Sequence, residues 1–286
     1  MAFSDLALKA AVESGIIAAH KNIAKLNLFA KNYSELDGVY GASVAVPVYN
    51  LSASTEFNLS SNNYATTETP GGCMVSLNKH FVKSVGITDK QEAETGIRWI
   101  SDTTYALADN LTRAVNKTVF NSLSSESITL SADVTLTSKS AIASLVNTAY
   151  ANDIAVSDAV VVLTPSVYAG VLAQLDSSVF GGDEAVKYGY VPNLYGFAGF
   201  VCSGDIPAAL SVDGFIIQRD AIAIANRYLP SYTEGTYQET WKSVTEEGFN
   251  IGFRRFADPS TGMNILAGDV LFGSTIVLPN KIVKLT

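Results

Sequence analysis

The segment VDGFIIQRDAIAIANRYLP, residues 212–230, combines the strongest helix-forming residue with a strand pattern. The three alanines between 221 and 225 favour a helix, because alanine has the highest helix propensity. They alternate with Ile222 and Ile224, however, and a two-residue period is typical of a strand. A strand with isoleucine on one face and alanine on the other has no face suited to water. We therefore predict a strand over 215–225 that is covered on both faces, with an alanine face that lets a neighbouring element approach closely.

The composition of the chain also indicates a large apolar surface that must be buried away from water. Its 286 residues are only 16% charged, and the mean hydropathy is +0.21. No run of about 18 apolar residues is present, and the first residues lack the pattern of a signal peptide, so we expect neither a membrane span nor export. A large core and extensive contact between subunits explain this composition equally well.

Charge and cysteine content exclude further classes of protein. A net charge of −8 argues against a protein that grips nucleic acid through its phosphates, although not against one that encloses nucleic acid. The two cysteines, Cys73 and Cys202, are too few for a disulfide framework, and we expect buried free thiols.

The first 90 residues predict a helix followed by a projecting hairpin. Ser4 can cap a helix whose apolar residues recur at helical spacing as far as Leu26. SVAVPVYN (43–50) predicts a strand that Pro47 confines to an edge or bulge, and CMVSLNKHFV (73–82) predicts the returning strand. The small, polar residues between these strands predict the hairpin tip. Because a two-stranded arm is not stable alone, it needs another surface to lie on.

Residues 87–123 carry the strongest helical pattern. Thr88 and Gln91 have the spacing of a capping box, and an apolar stripe follows. We predict one continuous helix over 89–122, roughly 50 Å long at 1.5 Å per residue. The predicted stripe consists of Ala93, Ile97, Ile100, Thr104, Leu107, Leu111, Ala114 and Thr118.

The remainder of the chain predicts a mixed α/β region and then a β region. A helix over 137–152, a buried strand over 158–165 and a helix over 166–175 capped by Ser166 suggest a compact α/β domain. The tail predicts only strands, which are GTYQETWKSV (235–244), EGFNIGFRRFAD (247–258) and, after a turn at PSTG, residues 263–285.

No catalytic or metal-binding constellation is present in the sequence. His20 and His80 have no carboxylate or thiol beside them at metal-ligand spacing, and Asp183 and Glu184 fit a solvated loop better than a cation site. The glycine-rich phosphate-binding motifs and the nucleophile elbow are missing. We predict no catalytic residues, no cofactor, no metal site and no enzyme activity.

The order of these parts resembles that of the major capsid protein of tailed double-stranded DNA bacteriophages, the Hong Kong 97-type fold. The likeness is carried by GFNIGFRRFADPSTGMNILAGDVLFGSTIVLPNKIVKL (248–285), FIIQRDAIAIANRYLP (215–230) and VVVLTPSVYAGVLAQ (160–174). It runs in order from about residue 40 to 286 and implies an α+β fold with five parts. These are an N-terminal arm (1–40), an extended hairpin loop (41–86), a peripheral domain with a spine helix (87–130), an axial domain (131–231) and the peripheral β sheet (232–286).

The resemblance implies a structural protein whose pentamers and hexamers form an icosahedral shell around packaged double-stranded DNA, without sequence-specific binding. It implies a location in the virion capsid after assembly in the host bacterial cytoplasm, with no membrane. A portal and decoration proteins are the partners that such shells use. No long charged extension precedes residue 40, so we expect a separate scaffolding protein. Lys79 and Lys83 lie near the arm, but nothing in the sequence establishes covalent cross-linking.

Two rival hypotheses stay open. The shell of a bacterial nanocompartment has the same fold and encloses enzyme cargo, although the long polar tip at 51–72 favours the phage coat. An enzyme of unrecognised type would need a pocket with convergent polar groups, which two histidines make hard to build.

Overall fold

The computed structural model describes residues 26–34, 43–48, 71–95, 98–123, 128, 130–133, 136, 138–174, 190–229, 239–244 and 250–286. Its helices are α1 (Asp89–Thr95), α2 (Arg98–Ser122), α3 (Lys139–Ala151) and α4 (Pro165–Gln174). Its strands are β1 (Lys31–Asn32), β2 (Ser43–Val48), β3 (Gly71–Ser76), β4 (Lys79–Thr88), β5 (Ser131–Ala132), β6 (Ala159–Leu163), β7 (Tyr190–Pro192), β8 (Gly199–Cys202), β9 (Gly214–Gln218), β10 (Ile222–Arg227), β11 (Glu239–Val244), β12 (Asn250–Asp258), β13 (Met263–Ile276) and β14 (Ile282–Leu285).

The first sheet is built around the 14-residue strand β13. β4 pairs antiparallel with one edge of β13 over ten residues. β12 and β10 pair with successive halves of the other edge, and β11 and β1 continue the sheet outward. One face of this sheet packs against α2 through Phe253, Leu266 and Val270, which are all buried. The sheet and α2 therefore form a single packed layer pair.

The second sheet has the strand order β5-β14-β9-β6-β8-β7. One of its faces is covered by α3 and α4, whose buried side chains include Ile142, Leu145 and Tyr168. Its other face contributes Val162 and Phe215 to the same core as α2. Because α2 lies in a core that both sheets share, the two sheets cannot move apart without exposing apolar surface.

Residues 214–227 form two strands rather than the single strand predicted over 215–225. β9 belongs to the second sheet and β10 to the first, and a 3₁₀ turn at Arg219–Ala221 separates them. Arg219 and Asp220 are exposed in that turn. Two adjacent charged side chains cannot both be kept in water within a strand that is buried on both faces, so the chain turns there. The prediction that both faces are covered is consistent with the burial of Ile222–Ala225, each at most 1% exposed.

The tail also divides between the sheets, which corrects the prediction that 263–285 completes one sheet. After β13, a 3₁₀ turn at Pro279–Lys281 leads into β14, which pairs with β9 and β5 in the second sheet. Pro279 occupies the first position of this turn, where its lack of a backbone N–H does not cost a ladder hydrogen bond. β14 therefore lies in the second sheet, apart from the other tail strands β11, β12 and β13, and β10 lies in the first sheet with those strands.

The predicted single helix over 89–122 is described as two helices, α1 and α2, while Gly96 and Ile97 between them lie outside the described residues. α2 has 25 residues and is roughly 37 Å long at 1.5 Å per residue. The apolar stripe is buried at Ile100, Thr104, Leu107 and Leu111, but Ala93 is exposed. Farther along, Val115 and Val119 are buried instead of the predicted Ala114 and Thr118, because a stripe with an average spacing of about 3.5 residues drifts around a straight helix of 3.6 residues per turn.

The capping box at the start of α1 is confirmed. The backbone N–H of Gln91 donates to Thr88 Oγ1 at 3.4 Å, and the backbone N–H of Thr88 donates to Gln91 Oε1 at 3.2 Å. The cap predicted at Ser166 is wrong, because α4 begins at Pro165 and places Ser166 inside its first turn. The helix predicted over 137–152 is confirmed as α3, with Ser138 as its N-cap.

Replacing Thr88 by alanine is expected to lower the free energy of unfolding by about 0.5–2 kcal/mol, because the backbone N–H of Gln91 loses its acceptor. Urea denaturation of the purified protein measures this change. An unchanged free energy would mean that the tertiary contacts of α1 hold it without the cap.

Candidate functional site

The residues singled out for possible chemistry do not come together in the structure. His80 lies in β4, Cys73 in β3, and Cys202 at the end of β8. Within the described residues, no group of three His, Cys, Asp or Glu side chains could hold a metal ion. His20, Asp183 and Glu184 lie outside the described residues, as do most of the predicted N-terminal helix and hairpin tip.

A cavity of about 200 Å³ lies between α2 and the loop after β8. Two of the polar side chains that line it each bind a carboxylate. Arg113 Nε donates to Asp109 Oδ2 at 2.9 Å, and Asn116 Nδ2 donates to Asp205 Oδ2 at 3.1 Å. Cys202, Ser203 and Asp205 line this cavity, and its described lining includes no histidine that could act as a general base.

The most distinctive surface is the part of the first sheet on which the hairpin formed by β2 and β3 packs. Val44, Val46 and Val75 of the hairpin pack on Ala223 and Ala225 of β10, and all five are nearly fully buried. The small side chains explain the alternation read from the sequence. Isoleucines point to the shared core, while alanines leave room for a second layer on the opposite face.

Gly273 of β13 completes this surface, which we call the small-residue platform (Ala223, Ala225 and Gly273). Gly273 lies opposite Ala225 in the register of the sheet. A Cβ atom on Gly273 would lie 2.1 Å from the carbonyl oxygen of Ser76, which is far inside van der Waals contact. The backbone of β3 therefore approaches β13 at a distance that only glycine permits.

The returning strand predicted over 73–82 is divided at this platform. β3 ends at Ser76 and pairs with β2, whereas β4 begins at Lys79 and pairs with β13. Pro47 pairs with Gly72 in a two-stranded hairpin, which fits its predicted place on an edge. The base of the hairpin thus rests on the same chain, while β4 is part of the first sheet.

A buried polar cluster around Asn226 fixes the strands beside the platform. Asn226 is 2% exposed, and its Nδ2 donates to the carbonyl oxygen of Asn250 at 2.7 Å. Its Oδ1 accepts from the backbone N–H of Asn250 at 3.1 Å and from Ser34 Oγ at 3.1 Å. Because these buried polar atoms are satisfied, the cluster holds the end of β10 against the start of β12.

Ion pairs fasten α1 and the neighbouring strands. Glu92 of α1 accepts from Arg255 Nη2 and from Asn264 Nδ2, which joins the helix to β12 and β13. Asp269 of β13 binds Arg254 Nη2 at 2.7 Å. Burial raises the pKa of Asp269, while the charges of Arg254 and His80 act in the opposite direction. A Cβ on Gly252 would lie 2.1 Å from Asp269 Oδ1, so this glycine makes the space for the ion pair.

The described helices include none whose length and apolar character would allow it to cross a bilayer. No protein-family model matches the sequence. No curated protein matches it either.

Solved structures match the chain over nearly its whole length. A structure from Mycobacterium phage Che8 has a TM-score of 0.60 at 12% identity and covers 91% of this chain and 90% of its own. The capsid structure of Cyanophage P-SCSP1u has a TM-score of 0.58 at 13% identity and covers 90% and 86%. A virus-like particle from Pyrococcus furiosus has a TM-score of 0.59 at 13% identity and covers 99% of both chains. These likenesses show a shared fold.

Proposed function

The chain has the α+β, Hong Kong 97-type fold, and from this premise we propose that it is the major capsid protein of a tailed bacteriophage. In this proposal many copies assemble as pentamers and hexamers into an icosahedral shell around double-stranded DNA. The observation that carries the proposal is the match, over 86–99% of each chain, to a phage capsid and to a virus-like particle. A fold hosts many functions, so the extent of the match matters more than the fold class alone.

Features of the molecule support this proposal. The base of the β2–β3 hairpin packs on the small-residue platform. An arm that extends toward a neighbouring subunit needs such an anchor on its own chain. Among the described residues, no cluster of three His, Cys, Asp or Glu side chains could hold a metal ion, and we propose a structural rather than enzymatic role. The net charge of −8 would keep confined DNA from adhering tightly to the shell wall.

The finer parts of the proposal concern domains and partners. Residues 41–86 would form the extended loop, 87–130 the spine region and 131–231 the axial domain around the symmetry axes. Within this division, β14 would belong with the sheet of the axial domain and β10 with the peripheral sheet. A separate scaffolding protein, a portal and decoration proteins are the proposed partners, with assembly in the host cytoplasm and a final place in the virion capsid.

A nanocompartment shell is the second candidate function. The match to the virus-like particle from Pyrococcus furiosus over 99% of both chains favours a closed shell without specifying its contents. Analysis of purified particles for DNA and for co-purifying enzymes separates the two candidates.

Electron microscopy of the purified protein tests the proposed function. We expect closed shells in which contacts between neighbouring copies bury more than roughly 2,000 Å² per pair, as in permanent assemblies. Sedimentation over a range of concentrations provides the quantitative measurement. A protein that stays monomeric at high concentration, both alone and with a scaffolding protein, would refute a shell function.

A further inference from the structure

The outer edge of β4 is an uncovered strand edge. β4 pairs with β13 from Lys79 to Thr88, and within the described part of the chain no strand pairs with its other edge. Ten residues in a strand span about 33 Å. Over that length, alternate backbone N–H and C=O groups point away from β13. Such an edge is a template for pairing with another chain, which proteins normally protect.

Two valines of β4 are exposed on opposite faces of the sheet. Val82 is 57% exposed and lies opposite Asp269, whereas Val85 is 38% exposed and lies opposite Leu266. A partner that lay on one face of the sheet would cover only one of these side chains. A strand added to the outer edge would lie beside both, because its side chains alternate between the faces as theirs do.

Charge indicates which chain supplies that strand. Lys79, His80 and Lys83 are all exposed on β4, in a chain whose net charge is −8. Lysines on an edge can simply discourage pairing, but that role alone does not account for the exposed valines. An acidic partner is favoured by this edge, and each further copy of this chain is acidic.

We propose that a strand of a second copy of this chain pairs with the outer edge of β4 and extends the first sheet across the boundary between copies. This inference rests on the proposed function, because a shell brings many copies together. It goes further in stating that the contact includes a backbone ladder, the geometry of β-strand addition.

Hydrogen exchange of the backbone amides tests the ladder directly. In the free subunit, amides of residues 80–86 that bond to β13 should exchange slowly, and the alternate amides should exchange rapidly. In shells, the rapid set should slow by about 100-fold or more, because local opening of an assembled sheet is rarer than fraying of a free edge. Shells in which these amides exchange as rapidly as in the free subunit would overturn the inference while leaving the proposed function intact.

The identity of the partner is tested by mixing copies labelled with ¹⁴N and ¹⁵N before assembly. Amine-reactive cross-linking from Lys83 should then yield peptide pairs that combine both isotopes. Cross-links from Lys83 only to peptides of the same isotope, or to another protein, would contradict a second copy as the partner. If the wild-type protein forms no shells at all, the proposed function fails first, and this inference fails with it.

Charge reversal gives an independent measurement. The variant Lys79→Glu/Lys83→Glu should fold, as judged by circular dichroism, but its yield of shells should fall at least tenfold. The matched control Lys117→Glu/Lys139→Glu changes the net charge equally at exposed positions on α2 and α3. Equal loss of assembly in both variants would assign the effect to net charge rather than to the edge of β4.

Discussion

Replacing Gly273 by alanine is expected to unseat the hairpin of β2 and β3 and to lower the free energy of unfolding by about 3 kcal/mol or more. The added Cβ would lie 2.1 Å from the carbonyl oxygen and 2.8 Å from the carbonyl carbon of Ser76. Both are backbone atoms, so no side chain can rotate away, and the strands must separate. Overpacking of a core costs about 1–3 kcal/mol and occasionally more, and a backbone collision belongs at the upper end.

Urea denaturation measures this loss, and limited proteolysis detects a displaced hairpin. Gly72→Ala is the matched control, because Gly72 lies in the same hairpin and its added Cβ would meet nothing within 4 Å. The control should change the free energy of unfolding by less than about 0.5 kcal/mol. Equal stability of the two variants would mean that the hairpin is not held on the small-residue platform.

Replacing Leu111 by alanine is expected to lower the free energy of unfolding by about 2–5 kcal/mol, the usual cost of a cavity left by a buried leucine. Leu111 is 1% exposed and belongs to the core that α2 shares with both sheets. Chemical denaturation gives the value. Tyr105→Ala is the control on the same helix, because Tyr105 is 54% exposed and its loss should cost less than about 0.5 kcal/mol.

A double-mutant cycle locates the contact that Leu111 makes. A Cβ on Gly268 would lie 2.9 Å from Leu111 Cδ1, so Gly268→Ala should destabilise the wild-type protein. In the Leu111→Ala background the new methyl group enters the space that the leucine vacates. The two effects should therefore be non-additive by roughly 0.5–3 kcal/mol. Additive effects would show that Leu111 does not pack over Gly268.

Local patterns in the sequence predicted much of the secondary structure. Helix α3, the capping box at Thr88 and the strands of the tail follow from spacing and turn residues alone. These features depend on neighbours within a few positions, where helix and strand periods and side-chain caps act. The resemblance of residues 160–174, 215–230 and 248–285 to coat proteins then supplied the fold.

The sequence did not predict which sheet each strand joins. Phe215 and Ile217 keep a two-residue period, as do Ile222 and Ile224, and the prediction joined these two runs into one strand across Arg219 and Asp220. The adjacent charged pair was the signal that could have located the break between them. The same holds for β14, where Pro279 marks the exit from β13 but pairing with β9 depends on contacts far along the chain.

The sequence predicted the alanines of the small-residue platform but not the contact between that platform and the hairpin. Alternating alanines predicted a closely approaching neighbour, and the hairpin was predicted to need a surface, but no local pattern connected the two. Gly273 lies about 50 positions beyond those alanines, and its close approach to Ser76 arises only when β10 and β13 pair. Contacts of this kind arise from tertiary packing rather than from local propensity.

The place of β14 in the second sheet has a consequence for the order of folding during synthesis. β14 lies between β5 and β9, so its absence would leave each of those strands with an unpaired edge inside the sheet. The ribosome makes β5 more than half a chain earlier, and closing so long a loop is slow. The second sheet therefore cannot be completed until residue 285 has emerged. Nascent chains that have not yet released β14 should retain an incomplete sheet that chaperones can bind, and the second sheet should be complete only after β14 has paired with β5 and β9.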